Sequence, residues 1–260
     1  MVLKRLLAGI GFGGASVETR LDPVPARPGG AVHGTVLIEG GDVGQEVEEL
    51  TVGLQAAVEA EIGDDEVTSH TEFHRIRLGG RTRLSPKQRF EVPFALPVPW
   101  EAPITFLHGR PLPGMRLGVN TRLAVANAVD PGDLDPVAIE PLPAQQAVLA
   151  ALDTLGFRFA KADLERGRIA RTRQRLPFYQ EVEYYAPSRY RGLNQLELSF
   201  VTDEYGMDVV LELDKKPGLF SEGRDTFKSF NVTHGQAAAM DWPGELDRWI
   251  SALAGRRDFF

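Results

Sequence analysis

Residues 28–38 form the stretch Pro28-Gly29-Gly30-Ala31-Val32-His33-Gly34-Thr35-Val36-Leu37-Ile38, a turn followed at once by a strand. Pro28 and Gly29 favour the turn, because proline fixes φ and glycine readily adopts the positive φ that tight turns need. Val32, Gly34 and Val36 alternate along the strand and therefore share one of its faces. A glycine inside a strand often marks a bulge or the close approach of another backbone segment. The stretch thus predicts a strand with a bulge or a close neighbour at Gly34.

Other segments repeat this alternation of apolar and polar side chains, namely residues 50–58, 90–96 and 117–125. In the second of them Phe94 lies on the apolar side and Pro93 on the opposite side. Because proline cannot donate a ladder hydrogen bond, Pro93 predicts an edge or bulged strand. One-sided alternation is typical of antiparallel strands over a core, so we expect two sheets packed face to face.

The middle of the chain predicts a domain boundary. Residues 130–136 are rich in aspartate and proline and indicate a turn-rich connection. Pro143 fits the first turn of a helix that Gly156 would end. We therefore expect a β-sandwich domain over residues 1–142 and a second β-rich domain over residues 143–260.

The second part is again mostly β. Alternation over residues 178–184 predicts a strand, and residues 196–213 predict a hairpin with its turn at 202–206. Residues 243–254 predict a helix, because their apolar side chains fall on one side. The fold class is therefore all-β for the most part, with an inter-domain helix and a C-terminal helix.

Composition and charge limit the function. The 260-residue chain has a formal net charge of −7 and no cysteine, which excludes disulfides and thiolate sites and suits a reducing cytoplasm. Residues 39–72 contain eleven acidic and no Lys or Arg side chains, whereas residues 158–175 contain seven basic and two acidic ones. This separation argues against nucleic acid as a partner and permits docking to another protein or to a second copy, as a homodimer. The apolar segment within residues 1–10 is too short and too often interrupted for stable membrane insertion.

Three motifs match ligand-binding patterns without the context that those patterns require. Residues 9–14 match G-x-G-x-x-G, yet they precede a predicted strand instead of the helix that would hold a pyrophosphate. His70 and His74 would lie roughly 13 Å apart on a strand, too far for one metal ion. The aspartates of residues 130–136 lack the glycine and distal glutamate of a calcium loop and predict an exposed turn. The sequence therefore predicts no catalytic residue, no cofactor and no metal site.

Arg171, Arg173 and Arg175 are spaced two apart and would form a row of positive charge if the segment were extended. Two interpretations stay open. One is a solvated edge strand, in which cations deter aggregation. The other is a docking stripe for an acidic protein surface.

The chain resembles the bacterial sporulation-control family SpoOM, whose N-terminal half is similar to the arrestin N domain. The resemblance begins with Pro28, Gly29 and Gly34 in the turn and strand quoted above. It continues in family order, over nearly the whole chain, through residues 93–97, 103–105, 121–141, 146–149, 155–158, 176–181 and 196–214.

That resemblance implies a non-enzymatic, cytoplasmic regulatory or scaffold protein that acts by binding other proteins. An alternative is a small-molecule or lipid carrier, which would need a concave cavity lined by aromatic side chains such as Trp100, Phe106 or Tyr184. A hydrolase would instead need clustered histidines and carboxylates with perturbed pKa values.

Overall fold

A computed structural model describes residues 14–62, 65–126, 132–215 and 227–254 of the protein. Most of the predicted G-x-G-x-x-G segment, residues 9–13, lies outside these ranges, as do residues 1–8. The strand expected after that segment is present as β1.

The first part of the chain contains ten strands within the described ranges. They are β1 (Ser16–Leu21), β2 (Ala31–Glu39), β3 (Gln45–Ile62), β4 (Asp65–Gly79), β5 (Thr82–Leu84), β6 (Arg89–Pro97), β7 (Phe106–Leu107), β8 (Arg110–Pro111), β9 (Leu117–Val125) and β10 (Gly132–Pro136).

The rest of the described chain contains three helices and five strands. In chain order they are α1 (Pro143–Thr154), β11 (Arg158–Arg166), β12 (Phe178–Tyr185), β13 (Leu193–Thr202), β14 (Gly206–Lys215), β15 (Phe227–Thr233), α2 (His234–Ala239) and α3 (Trp242–Ala254).

These elements form two compact units. The first comprises the described residues within 1–57, 70–99 and 116–139, and the second those within 58–69, 100–115 and 140–260. Two segments that precede residue 142 in the sequence therefore belong to the second unit.

The first unit is built from two antiparallel sheets. The smaller sheet has the order β1-β2-β6, and the larger has the order β10-β9-β3, with β4 and β5 also pairing with β3. Fully buried apolar side chains come from both sheets: Val36 and Leu96 from the smaller, Val52, Leu54, Val119 and Leu123 from the larger. Inside this core the hydroxyl oxygens of Thr19 and Thr121 lie 2.6 Å apart. The predicted mostly β fold with packed sheets is confirmed.

The turn-rich connection predicted for residues 130–136 is wrong for its described part, residues 132–136. Residues 132–136 form β10, which pairs antiparallel with β9 from Gly132 opposite Arg122 to Pro136 opposite Gly118. The aspartates are tolerated in this strand because β1 lies beside it, and the Thr19 amide donates a 2.8 Å hydrogen bond to Asp133 Oδ2. Asp133 and Asp135 are accordingly half-buried and are not the expected exposed carboxylates.

The second unit has one sheet with helices packed on one face. Its order is β3-β11-β12-β13-β14-β15, in which β11 runs parallel to β3 and the other pairs are antiparallel. The core includes Leu149 and Leu152 of α1, Tyr184, Leu196 and Leu211 of the sheet, and Trp242, Leu246 and Ile250 of α3. The predicted hairpin and both predicted helices are confirmed, whereas β11, β15 and α2 were not predicted.

Local chemistry explains where α1 begins and ends. Pro143 is its first residue, and the Gln145 side chain accepts a 2.8 Å hydrogen bond from the Leu142 amide. Gly156 follows the helix with a φ of 81°, the left-handed conformation that ends many helices. This end leads directly into β11.

Candidate functional site

The residues predicted to shape the first sheet lie on β2 and β6 and in the turn before β2. Gly29 has a φ of 77° and its amide donates to the Val98 carbonyl at 2.9 Å, which closes the turn that begins at Pro28. Gly34 lies between Leu21 of β1 and Phe94 of β6. A Cβ atom on Gly34 would lie 2.6 Å from the Arg20 carbonyl oxygen and 2.9 Å from Cζ of Phe94. The space at Gly34 is therefore filled by a backbone and by an aromatic ring.

Pro93 lies on β6 and pairs with Thr35 of β2. Among the described strands, β6 is an edge strand of the smaller sheet. Such an end position suits a residue without an N–H group. Phe94, its neighbour, is 7% exposed and packs into the core.

The segment with Arg171, Arg173 and Arg175 is not extended, so the expected row of charge along a strand is wrong. Residues 167–177 connect β11 to β12 as a loop, which we call the arginine loop. Arg171 has a φ of 63°, in the left-handed region that strands do not use. Side chains from inside and outside the loop bend it away from a strand path.

Gln174 holds the arginine loop from within. This side chain is 7% exposed. Its amide nitrogen donates to the carbonyl oxygens of Gly167 and Leu176, each at 2.8 Å, and to that of Phe178 at 3.1 Å. Its amide oxygen accepts from the Ile169 amide at 2.8 Å. One side chain therefore ties both ends of the loop together.

Glu101 holds the same loop from outside. Its carboxylate accepts hydrogen bonds from the Arg175 amide at 2.8 and 2.9 Å and from the Leu176 amide at 2.9 Å. Arg168 adds a 3.1 Å hydrogen bond to the Gln174 carbonyl. The backbone of the loop is thus bonded at several points.

Three of the four arginines in the loop, Arg171, Arg173 and Arg175, have different surroundings. Arg173 lies 2.5 Å from Asp203 and 3.7 Å from Asp208, at the tip of the β13–β14 hairpin. Burial alone would raise the pKa of Asp203, but hydrogen bonds from the Tyr205 and Gly206 amides, together with Arg173, lower it. All three side chains are exposed. Among the described contacts, the loop therefore holds Arg173 in ion pairs with Asp203 and Asp208 and presents Arg171 and Arg175 to solvent.

The sheet of the second unit carries acidic side chains on the face opposite its apolar core, which we call the carboxylate face. Strand register places Asp163 opposite Glu181, Glu183 opposite Glu197, and Glu197 opposite Glu212. Lys161 Nζ lies 2.7 Å from Asp163 Oδ2 and 3.1 Å from Glu183 Oε1. The face also includes Glu59 and Glu165, which pair across β3 and β11.

Burial, together with crowding of negative charge, raises the pKa values of two carboxyl groups on this face. Burial, followed by repulsion from Glu197 and Asp163, raises the pKa of Glu181 to about 8. Burial, followed by repulsion from Glu212 and Glu183, raises the pKa of Glu197 to about 7. This cluster was not predicted, although acidic residues that alternate with apolar ones within each strand indicate a charged sheet face. No histidine occurs in the strands that carry it.

The three side chains expected to line a carrier cavity lie in different places, and Phe106 is half-buried on β7. Tyr184 is 2% exposed and lies in the core, with its ring edge-on to Phe159 at 6.3 Å. Trp100 stacks on His234 at 5.7 Å and borders a cavity of about 10 Å³, room for one water molecule at most. A larger hollow of about 350 Å³ lies in the first unit, lined mainly by charged side chains such as Glu18, Arg20 and Arg89.

His70 and His74 lie on β4, as the sequence predicted. His74 Nε2 is buried without a hydrogen-bond partner.

Among the described residues, no helix has the length and apolar character required to cross a membrane.

Comparison with known proteins identifies the family of this chain. The family model described as SpoOM protein matches residues 3–217. The sporulation-control protein Spo0M of Bacillus subtilis (strain 168) is 32% identical over 215 residues, which cover 82% of this chain and 80% of that protein. The crystal structure of Spo0M, a sporulation control protein from Bacillus subtilis, aligns with a TM-score of 0.79 at 26% identity, over 94% of this chain and all of the other. The chain belongs to the SpoOM family.

Proposed function

We propose that this protein is a cytoplasmic regulator that acts by binding other proteins, and that the arginine loop is one of its docking surfaces. Membership of the SpoOM family and the name of the sporulation-control relative support the regulatory part of the proposal. The observation that carries the docking part is the rigid presentation of Arg171 and Arg175 on a loop bonded by Gln174 and Glu101.

Rigid presentation favours binding for a physical reason. A loop that is ordered before it meets a partner loses little conformational entropy on binding. Exposed guanidinium groups suit carboxylates, because each can donate two parallel hydrogen bonds to one of them. The partner is therefore expected to offer an acidic surface, and a second copy of this acidic chain is one outcome that the experiment distinguishes.

The experiment replaces Arg171 and Arg175 together by glutamate. Arg173 is kept, because its removal would leave Asp208, which is 3% exposed, without its cation. The matched control is Arg110→Glu with Arg191→Glu, two exposed arginines outside the loop. We expect the loop variant to lose at least about tenfold of partner capture, or about 1.4 kcal/mol, at an unchanged melting temperature, whereas the control keeps it.

Capture is measured by affinity purification of each tagged variant from its native cells, with quantitative mass spectrometry of the bound proteins. Light scattering of the purified chain reports self-association. Equal partner recovery by the loop variant and the parent would show that the arginines are only solvated surface. Expression in Bacillus subtilis cells that lack Spo0M tests whether the regulatory role is shared.

A further inference from the structure

Three carboxylates of the carboxylate face lie unusually close together. Glu59 on β3 pairs with Glu165 on the parallel strand β11, and Asp163 precedes Glu165 by two residues on the same side. One carboxylate oxygen from each residue lies within 4.8 Å of the others. We propose that Glu59, Asp163 and Glu165 bind a divalent cation, Ca²⁺.

The second observation is the state of Asp163. Its side chain is only 7% exposed, and Lys161 Nζ contacts Oδ2 at 2.7 Å. The other oxygen, Oδ1, is buried and has no hydrogen-bond partner. A buried carboxylate oxygen without a partner is costly and rare in folded proteins. A cation held between the three carboxylates supplies the missing partner.

The charges around Asp163 also favour a bound cation. The ammonium group of Lys161 is shared, since it also lies 3.1 Å from Glu183 Oε1. The charge of Lys161 is therefore divided between the carboxylates of Asp163 and Glu183. A divalent cation beside Asp163 reduces the negative charge that remains there.

The ligand set selects the class of ion. Three carboxylates without histidine or cysteine favour a hard cation over zinc or copper. Two oxygens that both bind Ca²⁺ at about 2.4 Å lie at most about 4.8 Å apart, in keeping with the observed cluster. Mg²⁺ demands shorter bonds and stricter octahedral geometry, so Ca²⁺ is the expected ion.

The first measurement is calorimetric titration of the chelator-treated full chain with CaCl₂, and separately with MgCl₂. We expect a single Ca²⁺ site with a dissociation constant on the order of 10⁻⁵ to 10⁻³ M and weaker binding of Mg²⁺. Glu59→Gln keeps the shape of the side chain and should weaken Ca²⁺ binding at least tenfold. Glu212→Gln, on the same face but outside the cluster, is the matched control and should change the affinity less than twofold.

The second measurement locates the ion by terbium luminescence. Tyr179 is the register partner of Glu165 on β12, close enough to transfer excitation to Tb³⁺ bound by the cluster. Tyr179→Phe should therefore remove most of the tyrosine-sensitised emission while Ca²⁺ affinity stays the same. Excess Ca²⁺ should displace Tb³⁺ from the parent.

Several outcomes would overturn the proposal. They are the absence of Ca²⁺ binding, equal binding by the Glu59→Gln variant, an equal loss in Glu212→Gln, and emission that survives in Tyr179→Phe. Tighter binding of Mg²⁺ would overturn the choice of ion.

The folding control is near-ultraviolet circular dichroism of Glu59→Gln without Ca²⁺, whose spectrum should match that of the parent. If that variant is misfolded, Glu165→Gln takes its place in the same titration.

Discussion

At the scale of single residues, Gly34 shows how one missing side chain lets two strands pack. We expect Gly34→Val to destabilise the first unit by about 3 kcal/mol or more, because its Cβ would lie 2.6 Å from the fixed Arg20 carbonyl. Urea unfolding followed by circular dichroism measures the loss. Gly79→Ala is the control, since its Cβ would meet only Leu50 at 3.8 Å. A Gly34→Val variant as stable as the parent would contradict the close approach.

Asp135 gives a prediction with a defined pH window. Burial, followed by the charge of Asp133, raises its pKa from 3.8 to about 6, and Oδ2 is buried without a partner. A raised carboxyl pKa means that the folded chain binds the proton more tightly than the unfolded chain. The associated stability is present below pH 4 and is lost as the pH rises through 6.

Asp135→Asn removes the charge that causes this loss. We expect the variant to match the parent near pH 4 and to exceed it at pH 7 by about 1 kcal/mol, a value reduced for solvent screening of this half-exposed side chain. Urea unfolding at both pH values measures the difference. A constant difference between variant and parent across this range would contradict the titration of Asp135.

At the scale of elements, the arginine loop depends on one side chain. Gln174→Ala removes three hydrogen bonds to loop backbone groups and a fourth to the Phe178 carbonyl at the start of β12. We expect a loss of about 2–4 kcal/mol in stability and a loop that opens locally. Trypsin reports this opening, because it cleaves after the arginines of the loop. Cleavage between β11 and β12 should be much faster in Gln174→Ala than in Arg191→Gln, a surface control outside the loop. Equal cleavage rates in the two variants would show that other contacts hold the loop.

Elements with local signals were predictable, and elements with distant partners were not. The β13–β14 hairpin and helix α1 were predicted because alternation, turn residues, Pro143 and Gly156 lie within each element itself. Strand β11 was missed because its charged residues obscure the alternation and its partner β3 is about a hundred residues away in sequence. The loop path of Arg171 could not be read from two-residue spacing, since it depends on Glu101 some seventy residues earlier. The carboxylate face was missed because it is spread over separate strands.

At the scale of the whole molecule, the second unit is assembled from discontinuous chain segments. Ile104 and Leu112 belong to its core together with α1, α3 and the sheet. The Gln180 side chain bonds both the Ile104 amide, at 2.9 Å, and the Ile104 carbonyl, at 2.8 Å. A continuous boundary after residue 142 would separate these partners, and local sequence patterns give no sign of such an interleaved arrangement.

This arrangement predicts how fragments behave. We expect a fragment of residues 143–260 to lack the cooperative unfolding of a packed domain, because it loses Ile104, Leu112 and the loop contacts of Glu101. Near-ultraviolet circular dichroism and urea unfolding of the fragment measure this loss. A synthetic peptide of residues 100–115 should restore part of the signal, whereas a scrambled peptide should not. A fragment that alone unfolds in one sharp transition would contradict this prediction, because cooperative unfolding would mean that a packed core forms without residues 58–69 and 100–115.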